Sequence, residues 1–158
     1  MKRLIAGAVV AGVAVFAGVG AFGDETVRDE SGAIVEGGGL GAFVIQNGDC
    51  INLPDSDLVE SVEALPCTQP HDAEAYAIFD IAGTTYPGEL AIDDHAIDGC
   101  LAQFHPFVGV SYEMSELEVF WLEPTEDSWN EYDDREIVCM VATVDGSQVT
   151  GSLRGSGR

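Results

Sequence analysis

Apolar and polar positions alternate with different periods along the chain, and the changes of period predict its elements. From Ala73 to Ile81 the pattern has a period of two, with Ala75, Ala77, Phe79 and Ile81 on one face and Tyr76 and Ile78 on the other. That is a strand, broken by Gly83 to Gly88. From Leu90 to Phe104 the period lengthens, with Ile97, Cys100, Leu101 and Phe104 at helical spacing and Asp93, Asp94 and Asp98 elsewhere. This predicts one long helix, weakened by Gly99 and ended at His105-Pro106. Leu117, Val119 and Trp121 alternate with Glu118 in a second strand that Pro124 stops. The continuous apolar run Ile137 to Val144 suits a central strand buried on both faces, followed by a turn at Asp145-Gly146. Shorter strand candidates lie at Phe43 to Gln46 and Val59 to Leu65. The sum is an α+β domain: a mostly antiparallel sheet with one main helix packed on it.

The two ends read differently. Leu4 through Phe22 is an uninterrupted run of 19 apolar residues and glycines behind Lys2-Arg3. About 20 apolar residues cross a bilayer as a helix, and Val19-Gly20-Ala21 also offers small residues for a cleavage site. Residues 1–22 are therefore expected to be a signal peptide or a transmembrane anchor. The basic residues before the run place the rest of the chain on the outer face of the membrane. Residues 23–42, with Gly37-Gly38-Gly39, read as a flexible linker and residues 154–158 as a flexible tail, leaving 43–153 as one extracytoplasmic domain.

Charge narrows the choice of partner. The chain has 28 acidic residues against six lysines and arginines, and 23 acidic residues against Arg135 alone between Phe43 and Thr150. Such a surface repels phosphate backbones and anionic headgroups, so no nucleic acid is expected, and the membrane is met only through the N-terminal segment. Basic partners or cations are favoured, or the charge is a solvated face.

Four cysteines, Cys50, Cys67, Cys100 and Cys139, fall in the folded part. An even number in an exported domain predicts two disulfides. Three connectivities are possible. A local bridge between Cys50 and Cys67 would close the segment holding Pro54 and Pro66, and Cys100 to Cys139 would then tie the helix to a strand. The spacings do not fit a zinc site, which favours close cysteine pairs.

The remaining chemistry is sparse. Pro70-His71-Asp72-Ala73-Glu74 is the sharpest polar cluster: His71, Asp72 and Glu74 suit a divalent cation or a partner contact, or equally a turn held by backbone hydrogen bonds. Glu123, Glu126, Asp127, Glu131, Asp133 and Asp134 surround Trp129 and Tyr132 without the ordered glycine-containing pattern of a calcium loop. Arg135 is the natural internal counter-ion for one of these carboxylates. No Ser-His-Asp order, nucleophile elbow, phosphate loop or dinucleotide fingerprint occurs, so neither catalysis nor a cofactor is expected. Abundant carboxylates leave open a hydrolase pair acting on the cell wall, or a cation-binding structural domain.

Several short motifs occur in a fixed order: Gly48-Asp49-Cys50, Pro66-Cys67 with Pro70 to Glu74, Cys100 followed by Phe104 and Val108-Gly109, Pro124-Thr125 with Trp129, Asp134-Arg135 before Cys139, and Thr150 to Leu153. This set resembles the septum formation domain of exported and membrane-anchored actinobacterial proteins, over nearly the whole folded part. The resemblance implies a cell-envelope protein associated with septation or cell division, with envelope or division proteins as partners and no catalytic residues. One departure is Glu131-Tyr132-Asp133, where the family usually has a glycine.

Overall fold

The computed structural model describes residues 5–9, 25–56 and 58–158. Nine strands occur in these residues: β1 (Ile5–Val9), β2 (Val27–Arg28), β3 (Ile34–Glu36), β4 (Gly38–Gly41), β5 (Cys50–Asn52), β6 (Ser61–Leu65), β7 (Ala73–Asp80), β8 (Leu117–Pro124) and β9 (Glu136–Thr143). Helix α1 (Glu89–Val108) connects β7 to β8, and a short α2 (Glu126–Tyr132) connects β8 to β9. Seven strands form one sheet in the order β1-β8-β9-β7-β5-β6-β4, and β2 pairs with β3. Every pairing among the named strands is antiparallel except β1 on β8. The fold is the expected α+β arrangement, with one main helix on a mostly antiparallel sheet.

β9 and β7 are central and buried on both faces. On one face α1 lays Ile92, Ala96, Cys100 and Phe104, spaced by four residues, against Leu117, Val119, Trp121, Ile137, Cys139 and Val141. Tyr76 fits under the helix and donates its hydroxyl to the Cys100 carbonyl at 2.8 Å, and burial pushes its phenol pKa upward. On the other face Leu40, Ile51, Val62, Ala73, Ala75, Leu122, Val138 and Met140 form a second core. Strands as far apart in the sheet as β4 and β8 meet in this cluster, so the sheet curls over it.

A bulge between Ala75 and Ala77 changes which side chains of β7 share a face. Ala75 joins the curled-sheet core, whereas Tyr76 and Ala77 both join the helix-side core. One extra residue offsets the alternation, so the single period expected from Ala75 to Ile81 breaks at Tyr76. α1 also passes Pro106 and ends at Val108, where Gly109 takes φ 95° and donates to the His105 carbonyl at 2.9 Å. Phe107 and Val108 are buried, and their packing outweighs the hydrogen bond that Pro106 lacks. Gly99 is required: a Cβ there would overlap the ring of Phe79. Phe43 to Gln46, expected as a strand, is a 3-10 turn over Ala42–Val44.

The linker and tail need correction. Residues 25–42 contribute β2, β3 and β4, and bury Ile34, Leu40 and Ala42. The glycines that suggested a tether allow close pairing instead, since Gly38, Gly39 and Gly41 lie opposite Ala64, Glu63 and Ser61 of β6. At Gly37 a Cβ would meet Leu65 at 2.8 Å. Residues 154–158 lie along the end of α1: Gly155 and Gly157 donate to the carbonyls of Phe107 and Val108 at 2.7 and 2.9 Å. Arg154 stacks over Phe107, and Arg158 pairs with Glu116. Of the expected anchor or signal segment, Ile5–Val9 forms β1, and residues 10–22 lie outside the described residues. No helix among the described residues is long and apolar enough to cross a membrane.

Candidate functional site

Both disulfides pair as the local-bridge reading expects. Cys50–Cys67 joins the start of β5 to the loop after β6, with Cα atoms 5.2 Å apart. Cys100–Cys139 joins α1 to β9, with Cα atoms 5.5 Å apart. The first lies beside an open hollow of about 390 Å³ lined by Ile34, Val35, Asp49, Leu65 and Pro66. Asp49 on its lining takes a two-pronged pair from Arg28, each N–O distance being 2.6 Å. This arrangement raises the arginine's pKa, through the hydrogen bond to Asp49 first.

The three residues of the 71–74 cluster have separate places. His71 is fully buried, its Nδ1 lying 2.8 Å from the Gln69 carbonyl and its Nε2 having no partner. Asp72 accepts from the backbone N–H of Leu53 at 2.9 Å and from Gln148 at 3.1 Å. Glu74, 1% exposed, accepts from the Ser152 hydroxyl at 2.7 Å and the Leu153 N–H at 2.6 Å. Asp72 and Glu74 thus fasten the C-terminal segment to the sheet. Among the described residues, the metal-ligand atoms that converge are those of Cys50, Cys67 and Glu74. Both of those sulfurs are already in a disulfide, so His71, Asp72 and Glu74 do not meet at one ion.

Carboxyl groups gather instead where β8 and β9 meet α2. A small cleft, with a volume of about 20 Å³, is lined by Ala42, Phe43, Leu122, Glu123, Asp134, Glu136 and Val138. Glu123 is 7% exposed and accepts from the indole N–H of Trp121 at 2.8 Å. Burial, and then Asp93 and Glu89 on α1, raise its pKa to about 7 against the help of that indole. Asp93 has a buried Oδ1 with no hydrogen-bond partner, and its carboxyl beside Glu123 favours the protonated form of that glutamate. Glu136 is likewise raised to about 7, by burial first and then by Asp134 and Asp80. Asp134 is held by the Ser128 hydroxyl at 2.8 Å and by the Glu136 N–H at 3.1 Å.

α2 supports this corner. Thr125 and Ser128 cap it reciprocally, and its Trp129 is 1% exposed. Arg135 does more than balance a carboxylate. It lies 3.8 Å from the Trp129 ring centroid, donates to the carbonyls of Trp129, Asp134 and Gly83, and meets exposed Asp133 at 2.8 Å. Asp133 itself has φ 55°, the one left-handed non-glycine among the described residues. The family's usual glycine is thus replaced near a position where glycine costs least.

Sequence reading missed Glu136, Glu89 and Asp93 as members of this corner. A signal existed for Glu123: it lies two residues after Trp121 on the same face of a strand, where an apolar side chain is expected. Chemically the cleft offers an apolar floor and carboxyls poised to gain or lose protons near neutral pH, which suits a cationic group.

The septum formation family model matches residues 27–154. That span includes both cores, both disulfides and the carboxyl cleft, and the chain belongs to the septum formation family, which ties its role to septum formation. No curated protein and no solved structure matches the chain.

Proposed function

We propose that this chain is an extracytoplasmic, non-catalytic interaction module of the cell envelope that acts in septum formation or cell division through envelope or division proteins carrying basic surfaces. The observation that carries the reading is the pair of disulfides inside the family-matched domain. Such bridges persist in oxidising compartments. The net charge of −22 and the carboxyl cleft favour a basic partner through complementary potentials. Depletion in dividing cells is expected to reduce or misplace septa, with recovery on re-expression of the full chain. Normal septation after depletion would contradict the proposal.

One observation favours a second reading, a wall hydrolase: Glu123 and Glu136, both with pKa about 7, line one cleft. Purified full chain incubated with cell walls distinguishes the two. Release of soluble fragments that Glu123→Gln and Glu136→Gln abolish would establish the hydrolase, and no release supports the module.

A further inference from the structure

Parallel pairing of β1 on β8 is the one exception to antiparallel pairing among the named strands, and it covers Phe120 to Pro124, the last five residues of an edge strand. Five register pairs run from Ile5 opposite Phe120 to Val9 opposite Pro124. These five residues belong to the 19-residue apolar run from Leu4 to Phe22. A bilayer crossing uses about 20 residues, so a chain that crosses with this run cannot also leave Ile5–Val9 on the sheet. Cleavage after the run removes them altogether. Either route to the outside bares the edge of β8.

A bare β8 differs from the opposite edge of the sheet. β4 has four residues, three of them glycine, and Glu25 bridges to Gly39 on it. The stretch of β8 that β1 covers, Phe120 to Pro124, has five residues, and Trp121 and Leu122 within it are buried. An unpaired edge is a template for another strand. We infer that the outward edge of β8 is a strand-accepting docking site, taken in the exported protein by an extended segment of a partner lying parallel to β8. The inference rests on the extracytoplasmic reading of the chain.

The chain's own occupant indicates the partner's chemistry. Ala6, Gly7 and Ala8 lie opposite Trp121, Leu122 and Glu123, so small residues face large ones across the ladder. Lys2-Arg3 precedes β1 in the sequence, and Glu116, Glu118 and Glu123 lie along or beside β8. The partner segment is therefore short, rich in small apolar residues and preceded by basic ones. A second copy fits less well: antiparallel pairing of two β8 strands centred between Phe120 and Trp121 puts Glu118 opposite Glu123, and like charges directly opposite destabilise.

Amide hydrogen exchange over 117–124 tests this, using the protein as recovered from the outer face and a peptide of residues 2–10 as probe. The amides of Phe120 to Glu123 that point away from β9 are expected to exchange quickly alone and roughly tenfold more slowly with peptide. A peptide N-methylated at both Ala6 and Gly7 loses a ladder donor whichever residue faces β8, and should give no protection. Equal protection by both peptides, or none by either, overturns the inference. Protection without peptide that rises with protein concentration overturns it in favour of a second copy. The purified full chain carrying Ala6→Pro and Ala8→Pro, which removes β1 from the ladder, separates the two readings. Peptide protection in that variant supports the docking edge even if cells retain the protein inside, which would contradict only the location. Absence of protection there refutes the edge whatever the location.

Discussion

Replacing Glu123 by glutamine removes a charge that the fold buries without a cation, while keeping the shape and an oxygen for the Trp121 indole. The carboxyl goes from an ordinary 4.5 to about 7 in the folded protein. Because the folded pKa lies above the unfolded one, the folded state holds the proton longer. Its stabilising effect is complete below about pH 4.5 and is lost as pH rises through about 7. At pH 8 the full shift corresponds to roughly 3 kcal/mol of destabilisation. Water reaching the open cleft screens this and leaves about 1–2 kcal/mol. Glu123→Gln should therefore be about 1–2 kcal/mol more stable than the parent at pH 8, raising the melting temperature by about 3–6 °C. At pH 4.5 the two should melt together, since glutamine then mimics the protonated acid and can donate to Asp93. Thermal melts from pH 4.5 to 8.5, with disulfides intact, provide the assay. A difference between the curves that stays constant across pH would refute the reasoning.

Other perturbations follow from the packing. Replacing both Cys100 and Cys139 with alanine opens a span of 39 residues and should cost about 4 kcal/mol on the chain-entropy account, against about 3 for Cys50 and Cys67. Urea unfolding of the two double variants checks that order. Gly99→Ala, favourable in a free helix, should destabilise by about 1–2 kcal/mol because the Phe79 ring must leave its place against the helix, and adding Phe79→Leu should restore much of the loss. Glu74→Gln weakens the grip on Ser152 and Leu153, at a cost of about 1–3 kcal/mol. Its mark is faster hydrogen exchange at Gly155 and Gly157 with little change in β9.

The long elements were legible because each buries a face large enough to leave a period in the sequence. β9 appears as an apolar run, and Cys100 to Phe104 marks the inward side of α1. The disulfide pairing followed from the same logic, since a cysteine on that side faces the sheet. What escaped was set by contacts distant in sequence. The bulge at Tyr76 depends on β9 across the ladder, and the continuation past Pro106 depends on where Phe107 and Val108 pack. The glycines of β4 looked like a tether because their partners in β6 lie twenty or more residues away. The carboxyl corner stayed hidden for a similar reason: Asp93 lies on α1, Glu123 on β8 and Glu136 on β9. In a chain so rich in acids, the sequence cannot mark which of them the fold will bury.

The central claim, a module exposed outside the membrane that meets basic partners at the septum, is tested most directly by coupling carboxyls to amines in intact dividing cells. The reagent must not cross the membrane. The chain has one lysine, Lys2, so products joined to its acidic domain report amines supplied by other molecules. The account predicts adducts with envelope or division proteins that are lost when cells are not dividing. Intact cells that yield no adduct, while lysed cells yield adducts with cytoplasmic proteins, would contradict it.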